Sequence, residues 1–131
     1  MRSARLLPVV FLLMLFVSAC DEGTPTDPSS GAVVTFNVTN ETFRVLLIDA
    51  QQIAAARAAQ NGGSARIPNG RIVQGMQVNI GWSWHLEDVT FAEFTIELCD
   101  GRPSDVERQG TGFGGGRFCP WSAHVVAIEE R

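Results

Sequence analysis

The chain has 131 residues, with ten arginines, no lysine and fourteen carboxylates, for a formal charge of −4 at pH 7. Nucleic-acid binding needs a basic stripe, and docking of an acidic partner needs a basic amphipathic helix. Neither pattern occurs, so nucleic acid is excluded as a partner.

The N-terminus reads MRSARLLPVVFLLMLFVSAC. Arg2 and Arg5 precede an apolar run from Leu6 to Val17. That run matches a secretory h-region and falls short of the roughly 20 residues of a membrane span. Ser18 and Ala19 lead to Cys20, and VSAC resembles the bacterial lipobox. The resemblance implies cleavage before Cys20 and lipidation of its sulfur, which anchors the chain to a membrane of the cell envelope, outside the cytoplasm. An ordinary signal peptide, with Cys20 left as a spare thiol, is the alternative. Residues 1–19 are thus read as a lipoprotein signal peptide and 20–31 as a lipidated cysteine with a flexible tether. The tether DEGTPTDPSSG has no apolar periodicity and cannot offset its own ordering entropy. Residues 32–131 form one domain. Once the signal is gone, eight arginines stand against the fourteen carboxylates, and the mature chain is more acidic than the precursor.

In AVVTFNV, Val34, Phe36 and Val38 share a face, and in ETFRVLL, Phe43, Val45 and Leu47 do. Two strands joined by a tight turn are predicted. Asp49 then caps an alanine-rich stretch that ends at Gly62-Gly63, which predicts a helix over about 50–60, with Gln52 reaching back to the cap. Pro68-Asn69-Gly70 reads as a turn between two short strands.

GWSWHLEDVTFAEFTIELCDG spans residues 81–101. Ile80, Trp82, Trp84 and Leu86 alternate, as do Phe94, Ile96 and Leu98. A hairpin turning near Glu87 to Phe91 is predicted, with Trp84 opposite Phe94 and His85 opposite Glu93. The tryptophans then face the core; an aromatic platform for a sugar or peptide is the alternative. Ser83, His85, Glu93, Glu97 and Asp100 form a candidate polar cluster, for ligand binding or for structure. A His–carboxylate pair serves equally as a general base, a metal half-site or a surface hydrogen bond. Neither GxSxG nor HExxH accompanies it.

Ser104-Asp105-Val106-Glu107 fits a capping box and predicts a short helix. TGFGGGRF reads as a mobile loop, without the Lys-Ser/Thr ending of a phosphate loop. A last strand follows, built on Val125 and Ala127 or on Val126 and Ile128, with His124 solvated. In an exported chain Cys99 and Cys119 read as a disulfide; a metal or redox pair is the rival. No cofactor and no metal site is expected.

The runs ETFRVLLIDAQQIAAARA, GRI, WSWHLEDVTFAEFTIELCDGRPSDVE and FCPW resemble the N-terminal domain family of the protein called BP-seventy-four, over nearly all of residues 32–128. Some relatives carry a calmodulin-binding label; a chain without lysine or a basic amphipathic helix gives no ground for transferring it. No catalytic residues come with the resemblance.

The expected fold is α+β: a small, mainly antiparallel sheet with one three-turn helix packed on it, a short second helix and one disulfide. The expected function is a non-enzymatic, lipid-anchored, extracytoplasmic binding module for a protein or small-molecule partner. One alternative is a secreted inhibitor of an extracellular protease. A further alternative is a small hydrolase or metal enzyme using His85 with Glu93 or Glu97.

Overall fold

The computed structural model describes residues 31–131; the signal peptide, Cys20 and the tether up to residue 30 lie outside the described residues. Strands β1 (Ala32–Val38) and β2 (Glu41–Leu47) are antiparallel, with Phe36 opposite Phe43 and Val34 opposite Val45. Thr39 and Asn40 join them at φ of 48° and 67°. Two left-handed residues give the turn a twist that matches the strands it connects. Asp49 caps α1 (Ala50–Gln60), its Oδ1 accepting from the N–H groups of Gln51 at 2.8 Å and Gln52 at 3.1 Å. The Gln52 side chain does not reach back to the cap. Its Nε2 donates 2.6 Å to the Val89 carbonyl and ties the helix to the second sheet.

The strands divide into two antiparallel sheets of three. One has the order β2-β1-β6, with β6 at His124–Glu130. The other has the order β4-β3-β5, from β3 (Ile67–Gln74), β4 (Trp84–Ala92) and β5 (Arg117–Phe118). A bulge shifts the β1–β6 register between Thr35 and Phe36, which pair with Ala127 and Val125. Val126 is the extra residue and stays exposed, while Val125 and Ile128 both pack on the core. The bulge is why neither simple alternation predicted for this strand fits. His124 is solvated, as expected.

The predicted turn at Pro68-Asn69-Gly70 is instead the continuous body of β3. Pro68 pairs only with Phe91 of β4, because β5 reaches no farther than Gly70 and Arg71, so its missing N–H breaks no second ladder. Gly70 is there for contact: a Cβ would lie 2.9 Å from Leu86 Cβ and 3.0 Å from Val89 Cγ2. The predicted hairpin over residues 80–98 is also absent. Glu87 to Phe91, expected as its loop, lie inside β4, whose partner is β3; Trp84 faces Gln74 and His85 faces Val73. The β3–β4 register shifts opposite Gly70, where Asp88 takes φ 51°.

Both sheets contribute to one aromatic core. Phe43 stacks on Phe36 at 5.1 Å, and Phe118 meets Phe43 at 5.3 Å, Trp84 at 5.5 Å and Phe113 at 5.9 Å, all edge-on. Each such pair adds about 0.5–1.5 kcal/mol beyond area burial. Helix α2 (Pro103–Gln109) is capped at Arg102, ahead of the expected Ser104. Pro103 supplies the preset φ of a first helical residue, and the Arg102 N–H donates 2.9 Å to Asp105 Oδ2. Ser104 is thereby released to give its N–H and hydroxyl to Glu41 of β2, at 2.9 and 2.7 Å. The glycine-rich run expected to be mobile is a packed 3₁₀ corner, Gly110–Gly115. Phe113 is buried in it, Gly114 (φ 56°) leaves a Cβ no room at 2.8 Å from Cys99 Cα, and the Gly116 carbonyl accepts from Ile72 at 2.9 Å.

Candidate functional site

Trp84 faces the core as expected, and His85 takes the opposite side of β4. Trp82 packs at the core margin and donates Nε1–H to the Thr42 carbonyl at 2.8 Å. His85 is nonetheless covered, with 8% of its surface exposed. Its Nδ1 lies 2.7 Å from the Gly75 carbonyl and its Nε2 3.0 Å from Glu87 Oε1. Both neighbours are acceptors, and a ring bearing one proton can donate to only one of them. Glu87 in turn meets Arg71, whose guanidinium also reaches Asp88 at 3.1 Å. Hydrogen bonding from His85, then from Arg71, holds the Glu87 carboxyl below its ordinary range. The bonds to Asp88 and then Glu87 raise Arg71.

The polar cluster foreseen around His85 does not assemble. The partner of His85 is Glu87, two places along the same strand, because the hairpin that would have brought Glu93 opposite does not form. Glu93 accepts the Ser64 hydroxyl at 2.6 Å. The Ser83 N–H donates to Glu107 at 2.9 Å. Glu97 opens a 3₁₀ turn, Glu97–Cys99, and is exposed. Asp100 Oδ1 accepts from the backbone N–H of Gly101 at 2.9 Å and of Trp121 at 2.8 Å. A general base at His85 with Glu93 or Glu97 is therefore not built. Among the described residues, no three of His, Cys, Asp and Glu come close enough to hold a metal ion.

The second alternating run, expected in the core, lies outside it. Beyond Ala92 the chain leaves the sheet, and Phe94, Ile96 and Leu98 are 87%, 65% and 67% exposed. Trp121, 44% exposed, stands beside them. A cleft of about 290 Å³ opens there, lined by Ile67, Glu93, Phe94, Thr95 and Trp121. The Cys99–Cys119 disulfide, with Cα atoms 5.1 Å apart, ties the end of this ridge to the root of the Trp121 turn. The Cys119 N–H donates 2.8 Å to the Cys99 carbonyl and reinforces the tie. The ridge is thus an apolar surface held on a rigid base. Apolar alternation was visible in the sequence, but it does not tell a face buried by the protein's own core from one left open to another molecule.

A second cleft, of about 330 Å³, lies between the start of α1 and the end of β6, where Arg57 and Glu130 form an exposed ion pair. It has no converging set of buried polar groups.

No curated protein and no solved structure matches the chain. The family model described as the BP-seventy-four N-terminal domain matches residues 30–131, the whole of the folded part. The runs that carried the resemblance occupy β2 and α1, β3, β4 through α2, and the disulfide-bonded Cys119 turn, so they are structural parts of one fold. The chain belongs to the BP-seventy-four N-terminal domain family.

Proposed function

We propose that the protein is a non-enzymatic binding module, held at the outside of a membrane by lipid on Cys20, and that it binds through the Phe94–Leu98 ridge. The observation that carries this reading is the exposure of three large apolar side chains in one short segment, with Trp121 beside them. Apolar patches of a few hundred Å² on a small domain mark interaction surfaces. The disulfide presents the segment in a fixed shape, which lowers the entropy lost on binding. The protease-inhibitor alternative drew on a flexible glycine loop, and that run is packed against Cys99. The enzyme alternative drew on His85 with Glu93 or Glu97, whereas His85 meets Glu87 and Glu93 meets Ser64.

The test is photo-crosslinking in living cells, with a photoreactive side chain at Ile96 of the full chain and, as a control, at exposed Met76. Discrete adducts from position 96 alone, retained when cells are fractionated to envelope and lost from that fraction in Cys20→Ser, are expected. Equal adducts from both positions, or none from 96, contradict the binding surface. Retention of Cys20→Ser in the envelope contradicts the anchor.

A further inference from the structure

The segment that bears the ridge is extended, and its backbone is open. Ile96 has φ −73° and ψ 144°, and the residues before it follow directly from β4. The backbone N–H groups of Phe94, Thr95 and Ile96 have no hydrogen-bond partner among the described residues. The Thr95 hydroxyl is enclosed without a partner as well. An open extended backbone with alternate apolar side chains is a template for another strand, and proteins cover or charge such edges when nothing binds there. Here the edge is left apolar.

Three occupants are conceivable, and the residues separate them. Lipid hydrocarbon offers no acceptor for the open N–H groups, and burying them there is costly. The acidic residues Glu93 and Glu97 flank the ridge, where lipid-binding surfaces carry lysine and arginine. A second copy, paired antiparallel about Thr95, sets Glu93 of one chain against Glu97 of the other, and like charges directly opposite destabilise a pair. An extended peptide with alternate apolar side chains and basic residues four apart meets all three requirements. It supplies carbonyls to the open N–H groups, apolar side chains to the cleft between Phe94 and Trp121, and positive charge to the two glutamates. The four ridge side chains expose roughly 500 Å² together, a contact of peptide size rather than the ~800 Å² per partner of a standard protein interface.

We infer that the Glu93–Leu98 segment recognises an extended apolar peptide with flanking basic residues by adding it as a strand. This rests on the reading of the ridge as the binding surface. The test is selection of a randomised ten-residue peptide library on the full chain in detergent micelles, followed by titration of the winners. Enrichment of alternating apolar residues with Arg or Lys four apart is expected. Binding should fall at least tenfold in Ile96→Ser, and at least tenfold when the alternate peptide amides are N-methylated, a change that leaves the protein untouched.

Peptides that bind equally with and without N-methylation, yet are lost in Ile96→Ser, overturn strand addition and leave the ridge as a binding surface. Winners insensitive to Ile96→Ser and Phe94→Ser overturn both. In phosphatidylcholine vesicles carrying brominated lipid, quenching of tryptophan fluorescence that disappears in Trp121→Phe would assign the ridge to the bilayer and overturn the inference. A dimer in sedimentation that Ile96→Ser abolishes would assign it to a second copy, with the same consequence.

Discussion

Phe94 and Phe118 are the same residue in opposite circumstances, and truncating each separates the two readings of this chain. Phe118 has no exposed surface and touches Phe43, Trp84 and Phe113. Phe118→Ala removes its burial and leaves a cavity, at about 3–5 kcal/mol. Against a domain stability of about 5–15 kcal/mol that is a large fraction, and it lowers Tm by about 15–30 °C for a domain of this size. Phe94 is 87% exposed, so Phe94→Ala has almost no burial to lose. Its effect should stay within about 0.5 kcal/mol. Had Phe94 paired with Trp84, as the alternation predicts, the two substitutions would cost alike. Urea and thermal unfolding of the two variants beside the parent measure this directly. A loss of more than about 1.5 kcal/mol in Phe94→Ala would refute the exposed ridge.

Three further outcomes follow from particular contacts. Gly70→Ala should destabilise by about 1–3 kcal/mol, because the new methyl meets Leu86 and Val89; if Gly70 served only chain freedom, alanine would instead stabilise by about 0.4–1 kcal/mol, and urea midpoints read the sign. Reducing the Cys99–Cys119 bridge should lower stability by about 3 kcal/mol through the loop of about twenty residues it closes, seen as a shift in the urea midpoint with reductant. Glu87 is held below its ordinary range by His85 and Arg71, so its contribution is present above its unfolded value and disappears as pH falls through the folded one. Unfolding followed from neutral pH down through the carboxylate range should show a shallower acid loss in Glu87→Gln; an unchanged acid limb would deny the coupling.

What the sequence disclosed was whatever its local signals decide. Asp49 and Gly62-Gly63 frame α1, and a two-residue Thr39-Asn40 link frames the first hairpin, with no need of distant partners. The cysteine pairing followed from an exported chain with two cysteines beyond Cys20. The failures share a cause, because each asked a short-range pattern to report a long-range fact. Asn69-Gly70 signals a turn, yet here glycine answers to Leu86 and Val89 across the sheet. Phe94, Ile96 and Leu98 alternate like core, and nothing within the segment says that β4 ends at Ala92. The His85 partner was misassigned because the cross-strand neighbour was inferred from a hairpin that does not form. Glu87, two places along on the same strand face, was available in the sequence.

The central claim is that residues 94–96 form an open recognition strand. Amide hydrogen exchange of the full chain, read residue by residue, tests it without a known partner. The account expects the Phe94, Thr95 and Ile96 amides to exchange far faster than those of β4 just before them, and to become protected when a selected peptide is added. Protection of these amides in the protein alone, at the level of the β4 ladder, would mean that the strand is already paired, and would contradict it.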